Sequence, residues 1–503
     1  MKRNRRKTVF ASFMMGTLLL AGCSAQRTGD AAETQAASAG AENTITLSGS
    51  TASCSSPNVT INGGTIKITG AGTYELTGTL DDGMVIVDAG DEDDVELVLN
   101  NASITSGTSA AIYIANCDDA AITLASGSEN TLANGGSFEA IDEKNIDGAV
   151  YARKDLTLSG DGSLNVTSPA GHGIVAKDDL TVESGSYTIT AASHGVTGKD
   201  ALVLNGGAFT ITAGEDGLHA KNSDDAALGN LTIRGGEYTI TAGDDGVHAS
   251  GNTVIEAGTV TILESSEGIE GQTVTISGGA IRVTASDDGL NAAGGSDSSA
   301  AGDFGGSPFD SDDSAEILIE GGTLYVNAGG DGIDSNGTIT MTGGQVFVSG
   351  PTNSGNGALD YGISATITGG TIVAAGASGM AENFTSAEGQ GVMLVSTGAQ
   401  QAGSAIQLAD ASGNVLVTWQ PEKAYECVVI STPDVQQGGT YTLTAGSGTQ
   451  TVEMTGAVYG GGMGMGGGMG QMGGIGGQPG QMGQGGQPGQ MGGGRPGGGM
   501  GRP

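Results

Sequence analysis

A repeat of about 22 residues is the feature that most constrains how this chain can fold. Residues 202–220 (LVLNGGAFTITAGEDGLHA) and 231–249 (LTIRGGEYTITAGDDGVHA) agree at most positions, and the same frame returns at 274–292 and 317–335. One glycine of the frame recurs at Gly162, Gly185, Gly207, Gly236, Gly258, Gly279, Gly322, Gly344 and Gly370. The steps between these glycines are 23, 22, 29, 22, 21, 43, 22 and 26 residues, so most units are regular and two carry insertions. Such a repeat indicates a solenoid, in which each unit contacts mainly its neighbours.

Each unit contains two strands and a short third one. Apolar residues alternate with threonine, as in Leu231/Ile233 and Tyr238/Ile240, which puts one set of side chains inward. Val247 points inward from the third strand, and glycine at the corners accepts the sharp turns. A propeller blade needs about 40 residues and a leucine-rich repeat needs helical segments. The pattern therefore predicts an all-β, right-handed parallel β-helix with coils of about 22 residues.

The ends of the chain differ in composition from the repeats. Residues 1–22 combine basic residues with a short apolar run that ends at Leu-Ala-Gly before Cys23, which is typical of a lipoprotein signal peptide. We expect lipidation of Cys23, a polar tether over 23–42, and a location on the extracellular face of the membrane. The β-helix is predicted for 43–380 with an N-terminal cap, and a small antiparallel β cap for 381–459. Glycine, methionine and glutamine dominate 460–503, which predicts a disordered tail.

Charge limits the partners of this chain. The formal net charge is −37, which disfavours nucleic acid because the phosphates would be repelled. It favours divalent cations, neutral ligands, or anionic ligands reached through cations. We expect a monomer that meets the membrane only through its lipid anchor.

The Asp-Gly step of the repeat predicts a column of acidic side chains. Coils stacked at roughly 4.8 Å bring equivalent residues above one another. The column runs through Asp147, His172, His194, Asp216, Asp245, Glu267, Asp288 and Asp331. Oxygen ligands in excess suit Ca²⁺, and the predicted metal ligands are Glu215, Asp216, Asp244, Asp245, Asp287, Asp288 and Asp331. Asp-Gly is also an ordinary turn dipeptide whose side chain caps the backbone.

A second column is basic. Arg153, Lys177, Lys199 and Lys221 follow the Asp-Gly step at spacings of 24, 22 and 22 residues. These four residues, here called the cation ladder, are predicted to bind substrate as a groove for the carboxylates of a uronate polysaccharide. They also suit a second role, in which they offset the charge of the acidic column.

Several segments together resemble the carbohydrate-binding β-helix lipoproteins of clostridia and related bacteria. They are the lipobox, residues 91–101 (DEDDVELVLNN), the Gly-Gly…Asp-Gly coils, residues 332–337 (GIDSNG) and 379–381 (GMA), and the Gly/Met tail. The resemblance covers about 43–460. It implies a fold similar to pectin-type polysaccharide lyases, bound calcium, and affinity for cellulose and polygalacturonate.

Three functions are compatible with these patterns. The first is a calcium-containing surface protein that binds acidic or β-linked polysaccharide without cleaving it. The second is a calcium-dependent pectate lyase, in which one of the lysines Lys177, Lys199 or Lys221 acts beside Asp216 or Asp245. The third is a structural adhesin without a sugar ligand. The three lysines look equivalent, and no single residue stands apart as a base, which favours the first.

Overall fold

The computed structural model describes residues 41–141, 145–292 and 312–461, and this part of the chain is almost entirely β-structure. One 3₁₀ turn, Ala41–Asn43, precedes the first strand. The predicted signal peptide, Cys23, nearly all of the tether and the tail from 462 lie outside the described residues, as do residues 293–311 of the long insertion at about 293–315. Among the described residues, none of the helical segments has the length and apolar character that crossing a membrane requires.

Three ladders of strands run along the molecule. The first ladder contains Gly72–Leu80, Val95–Ser106, Ala120–Leu124, Leu156–Gly160, Asp179–Val182, Ala201–Leu204, Asn230–Ile233, Asn252–Ile255, Thr273–Ile276, Glu316–Ile319, Thr338–Met341, Ser364–Ile367 and Ser386–Ala387. The second contains Thr44–Gly49, Glu129–Asn134, Ser163–Ser168, Ser186–Ala191, Ala208–Ala213, Glu237–Ala242, Thr259–Glu264, Ala280–Ala285, Thr323–Ala328, Gln345–Ser349 and Thr371–Gly376. The third contains Val59–Asn62, Thr65–Ile68, Met84–Asp88, Ile112–Asn116, Gly148–Ala152, His172–Ala176, Val196–Gly198, Leu218–Ala220, Val247–Ala249, Ile269–Gly271, Leu290–Ala292, Ile333–Ser335 and Asp360–Tyr361.

Apart from Val59–Asn62, which pairs antiparallel with Thr65–Ile68, strands of successive coils pair in parallel, at equivalent positions of the repeat. The long strands Gly72–Leu80 and Val95–Ser106 pair in both the first and the second ladder. Leu202 pairs with Leu231 in the first ladder, and Phe209 pairs with Tyr238 in the second. In the third ladder Leu218 pairs with Val247. The expectation of an all-β molecule built from long parallel ladders is therefore confirmed, while the right-handed winding stays a prediction.

The core lies between the three ladders and is made of thin apolar layers. Inward residues such as Ile211, Ile240 and Val247 are fully or almost fully buried, and the threonines between them face outward. Glycine at the start of the third strand is required by close packing. A Cβ built on Gly289 would lie 2.2 Å from Val326 Cγ1 and 2.5 Å from the Gly332 carbonyl oxygen. The Gly of the Asp-Gly step is therefore needed for the layers to approach each other.

Beyond the last regular coil the pairing becomes antiparallel. Tyr425–Ser431 pairs with Thr371–Gly376 on one side and with Val392–Gln400 on the other. A separate antiparallel sheet is formed by Val415–Trp419, Ile406–Asp410, Thr440–Ala445 and Gly448–Glu453. At the other end, Thr51–Ser53 folds back antiparallel on Thr44–Gly49. Val458–Tyr459 is the last strand of the described residues. The predicted domain boundaries remain predictions.

Candidate functional site

The residues before the glycine of the Asp-Gly step lie in one column, here called the turn column. Its members are Asp147, His172, His194, Asp216, Asp245, Glu267, Asp288 and Asp331. The main-chain N–H of Asp245 donates to Asp216 Oδ1 at 3.0 Å, and that of Asp331 donates to Asp288 Oδ1 at 2.6 Å. Adjacent members are therefore in direct contact. Asp216 and Asp288 thus each accept a hydrogen bond from a main-chain N–H of the next coil.

A second polar column lies beside the first, at the middle position of each third-ladder strand. This outer column contains Thr197, His219, His248, Glu270, Asn291, Asp334 and Asp360. In earlier coils the same position holds Tyr113, Tyr151 and Val175, which form a small apolar cluster. The outer face of the third ladder therefore changes along the molecule from apolar through histidine-rich to acidic.

The four histidines stack on one another across both columns. Ring centroids are 4.9 Å apart for His172 and His194, 3.8 Å for His194 and His219, and 5.4 Å for His219 and His248. Burial lowers the pKa of His172, and it lowers the pKa of His219 well below its usual value. Imidazoles this close to one another cannot all be protonated, because like charges repel in a poorly solvated site.

Carboxylates surround the histidine stack. The Oδ2 atom of Asp216 lies 3.0 Å from His194 Nδ1 and 3.7 Å from His219 Nε2. Burial acts to raise the pKa of Asp216, but the hydrogen bond and charge of His194 and the neighbouring histidines lower it to about 2. Asp216 is thus ionised at neutral pH.

One coil further on, a single histidine lies between two buried carboxylates. His248 Nδ1 is 3.0 Å from Asp245 Oδ2 and 2.6 Å from Glu270 Oε2. Burial lowers the pKa of His248, but the bonds to Asp245 and Glu270 outweigh it and raise that pKa to about 11. Burial raises the pKa of Asp245 to about 9, despite the hydrogen bond from His248. His248 therefore bridges the carboxyl groups of Asp245 and Glu270 within one buried coil.

The last coils hold carboxylates without a histidine among them. This acidic zone consists of Glu267, Asp288, Asp331, Asp334, Asp360 and Glu382. Burial, together with neighbouring carboxylates, raises the pKa of Asp288 to about 8 and that of Asp331 to about 7. The same causes raise the pKa of Glu267 to about 7 and of Glu382 to about 7. The pKa of Asp334 is raised well above its usual value.

The acidic zone fits a hard divalent cation. Asp288, Asp331 and Asp334 offer oxygen atoms that all lie within 4.8 Å of one another. Oxygens at that separation can share one Ca²⁺ at the usual 2.3–2.6 Å. Asn291 pairs in register with Asp334, and its buried Oδ1 has no hydrogen-bond partner. The buried Oε2 of Glu382 also has none. Since these buried acceptors have no partner within the protein, both oxygens are available as ligand atoms.

The seven residues predicted as metal ligands are divided between two surroundings. Asp287, Asp288 and Asp331 belong to the last coils, where Asp287 contributes to raising the pKa of Asp288. Asp216 and Asp245 contact histidines, and Glu215 Oε2 lies 3.4 Å from His194 Nε2. Asp244, in the coil of Asp245, is exposed. Their assignment as metal ligands stays a prediction. The sequence argument missed Glu270 and Asp360. The triplet GIE, which recurs in later coils as GLN and GID, is a usable signal for Glu270, whereas Asp360 follows Gly-Ala-Leu and lies outside that pattern.

The cation ladder lies on the outer face of the third ladder, as the two polar columns do. Ala152 pairs with Ala176, and Ala176 with Gly198, so Arg153, Lys177 and Lys199 occupy equivalent positions in successive coils. Lys177 Nζ is 3.6 Å from Asp147 Oδ2, and it lies 5.3 Å from the centroid of the Tyr151 ring. Lys199 Nζ is 2.8 Å from Asp224 Oδ2. Arg153 and Lys221 are exposed. At least two of the four cations therefore offset nearby carboxylates.

Comparison with known proteins gives the following similarities. Residues 62–305, just under half of the 503 residues, match the family model described as "Carbohydrate-binding domain-containing protein". A protein of that description from Acetivibrio thermocellus is 36% identical over 128 residues, which are 25% of this chain and 45% of that protein. The chain thus spans just under half the length of this curated relative. A solved structure of the polysaccharide lyase-like protein from C. thermocellum, a gadolinium derivative, aligns with a TM-score of 0.43 at 29% identity, over 47% of this chain and 92% of that one.

Proposed function

We propose that this protein binds polysaccharide without cleaving it, along the outer face of the third ladder, with Ca²⁺ held in the acidic zone. The observation that carries the proposal is the combination on one face of the cation ladder and the acidic zone. The family match to carbohydrate-binding domains spans all four cations and the start of the acidic zone. A regular polymer suits a face whose charged groups repeat once per coil.

A uronate polymer such as polygalacturonate is the ligand that this charge pattern favours. Its carboxylates can pair directly with the cation ladder and can reach the acidic zone through calcium. The ion pair between Lys199 and Asp224 is not an obstacle, because Asp224 is exposed and pairs of this kind contribute little to stability. Lys199 can therefore exchange this partner for a sugar carboxylate at small cost.

The choice of calcium rests on the chemistry of the ligand atoms, which are all oxygens. Asp288, Asp331, Asp334 and Asn291 would hold the ion with oxygen atoms alone, which suits Ca²⁺ better than zinc. The ion would supply positive charge where the carboxylates repel one another, and it would leave coordination positions for ligand oxygens. The proposal also includes three features predicted from the sequence: a right-handed β-helix, lipidation at Cys23 and a location at the cell surface.

The test is retention of the purified protein on insoluble polysaccharide. We expect retention on polygalacturonate in calcium, and loss of most of it in EDTA. The Asp288→Asn/Asp331→Asn double variant removes two carboxylates from the zone, and we expect it to be released even in calcium. Asp161→Asn, a substitution in an exposed turn outside the site, is the matched control. If the protein is retained on neither polygalacturonate nor cellulose, the proposed function is wrong.

A further inference from the structure

Two histidines and a glutamate meet at the start of the histidine stack, away from the acidic zone. A ring nitrogen of His172, a ring nitrogen of His194 and a carboxylate oxygen of Glu215 all lie within 4.8 Å of one another. Among these atoms, His194 Nε2 is 3.4 Å from Glu215 Oε2. The side chains of His172 and His194 are 19% and 18% exposed, and that of Glu215 is 50% exposed. A metal ion can therefore reach the group from solvent.

A buried carboxylate holds the ring of His194 in place. Asp216 Oδ2 lies 3.0 Å from His194 Nδ1, and Asp216 is only 4% exposed. The main-chain N–H of Asp216 also lies 3.2 Å from Nδ1, but the contact with the carboxylate is shorter and involves a full charge. It therefore places the imidazole proton on Nδ1 and leaves the lone pair of Nε2 beside Glu215. Histidines that bind metals are commonly oriented in this way, by a carboxylate at the other ring nitrogen.

The ligand atoms of this group favour a different metal from the one proposed for the acidic zone. Two imidazole nitrogens and one carboxylate oxygen are a set that Zn²⁺ takes in open sites, where water or another ligand fills the fourth position. Calcium prefers oxygen atoms alone. His194 precedes Asp288 by four coils of the turn column, roughly 19 Å at about 4.8 Å per coil, so the two sites share no ligand.

We propose that His172, His194 and Glu215 form a zinc site, in which Asp216 orients His194. Zn–N bonds of about 2.0–2.1 Å bring two ligand nitrogens to roughly 3.3 Å from each other. The stacked rings, whose centroids are 4.9 Å apart, therefore turn towards the ion when it binds. The hydrogen bond that His172 Nδ1 accepts from the His194 main-chain N–H is long, at 3.2 Å, and opposes this rotation only weakly. The inference does not depend on the proposed function, because zinc binding is measured without any sugar.

Isothermal titration of Zn²⁺ into the full chain, in excess calcium, tests the site. We expect one Zn²⁺ per chain that calcium does not displace. Glu215→Gln, at an exposed position, and His172→Asn should each weaken zinc binding at least ten-fold. Asp216→Asn should weaken it about ten-fold and keep one ion per chain, because it removes only the group that orients His194. Asp161→Asn, in an exposed turn outside the stack, is the matched control and should bind zinc like the wild type.

Cobalt absorption gives a second measurement, which distinguishes histidine ligands from carboxylates alone. Co²⁺ held by nitrogen in a four-coordinate site absorbs visible light much more strongly than Co²⁺ held by six oxygens. We expect the strong bands in the wild type and their loss in the His172→Asn/His194→Asn double variant, with urea unfolding to establish that each variant is folded. If Asp216→Asn fails to fold, the exposed Glu215→Gln variant still decides the outcome.

Three results would overturn the zinc site. The first is wild-type protein that binds no zinc in excess calcium. The second is zinc affinity that is unchanged in both Glu215→Gln and His172→Asn, and the third is an equal loss in Asp161→Asn. None of these results bears on retention of the protein on polygalacturonate, so the proposed function stands or falls separately.

Discussion

Replacing Asp331 by asparagine in the acidic zone should stabilise the calcium-free protein. Asp331 lies within 4.8 Å of carboxylate oxygens of both Asp288 and Asp334. Each fully ionised pair at that separation repels by about 3.5 kcal/mol at an effective dielectric constant of about 20. Partial protonation relieves much of this repulsion at pH 8, because the pKa of Asp288 is raised to about 8. We therefore expect a gain of about 2–4 kcal/mol in the free energy of unfolding.

Asparagine keeps the other contact of Asp331. Its side-chain oxygen can still accept the hydrogen bond from the Gly357 main-chain N–H, so the change removes charge rather than a cap. This makes the sign of the effect informative. A carboxylate that served only to cap the turn would give no gain on replacement.

Urea unfolding at pH 8 measures the effect, in EDTA and again in excess calcium. In EDTA the variant should unfold at higher urea than the wild type. Calcium at about 100 times its Kd should stabilise the wild type by about 2.7 kcal/mol, and it should stabilise the variant much less. Asp161→Asn should match the wild type in both buffers. A variant less stable than the wild type in EDTA, or one with an unchanged calcium response, would refute the reasoning.

Three further predictions concern the same stack of coils. In EDTA, the free energy of unfolding should fall as the pH rises from about 4 to 8. The cause is Asp288, whose pKa is raised from 3.8 to about 8, so the folded state holds that proton more tightly than the unfolded state. Urea midpoints measured across this pH range should fall in the same way, and a flat profile contradicts the prediction. His248→Ala should cost about 3–5 kcal/mol in urea unfolding, because it leaves the buried carboxyl groups of Asp245 and Glu270 without the imidazole that bridges them, and a cost below about 1 kcal/mol contradicts this. Gly289→Ala should cost about 2 kcal/mol or more by the same assay, since its Cβ would meet Val326 at 2.2 Å, whereas Gly448→Ala, with its first contact at 3.5 Å, should be nearly neutral.

The repeat made the ladders predictable from the sequence alone. Because equivalent residues of successive coils pair in register, the position of Asp216 one coil from Asp245 followed from their place in the frame. Their contact through a main-chain N–H at 3.0 Å agrees with that reasoning. Alternation within each strand gave the inward residues for the same reason, since side-chain direction in a strand depends only on position.

The surroundings of each charge were less predictable. Asp224 comes from an irregular insertion, so its pairing with Lys199 at 2.8 Å has no counterpart in the repeat. The burial of the outer column was also missed, because a polar residue at an outward position is expected to be exposed. In the structure the carboxylate of Glu270 packs against His248 of the neighbouring coil, with Oε2 2.6 Å from Nδ1, and Glu270 is only 4% exposed. The place of a side chain follows from the repeat, whereas its solvation depends on which side chains the neighbouring coils and insertions place beside it.

Isothermal titration of a short, uniform oligogalacturonate into the protein tests the central claim most directly. The titration is performed once in calcium and once in EDTA, with a protein-free titration to subtract binding of calcium by the sugar. Binding in calcium that is lost in EDTA, and lost again in the Asp288→Asn/Asp331→Asn variant, is the predicted result. Equal affinity in both buffers, or no binding in either, would contradict the proposal that calcium in the acidic zone joins this face to a uronate polysaccharide.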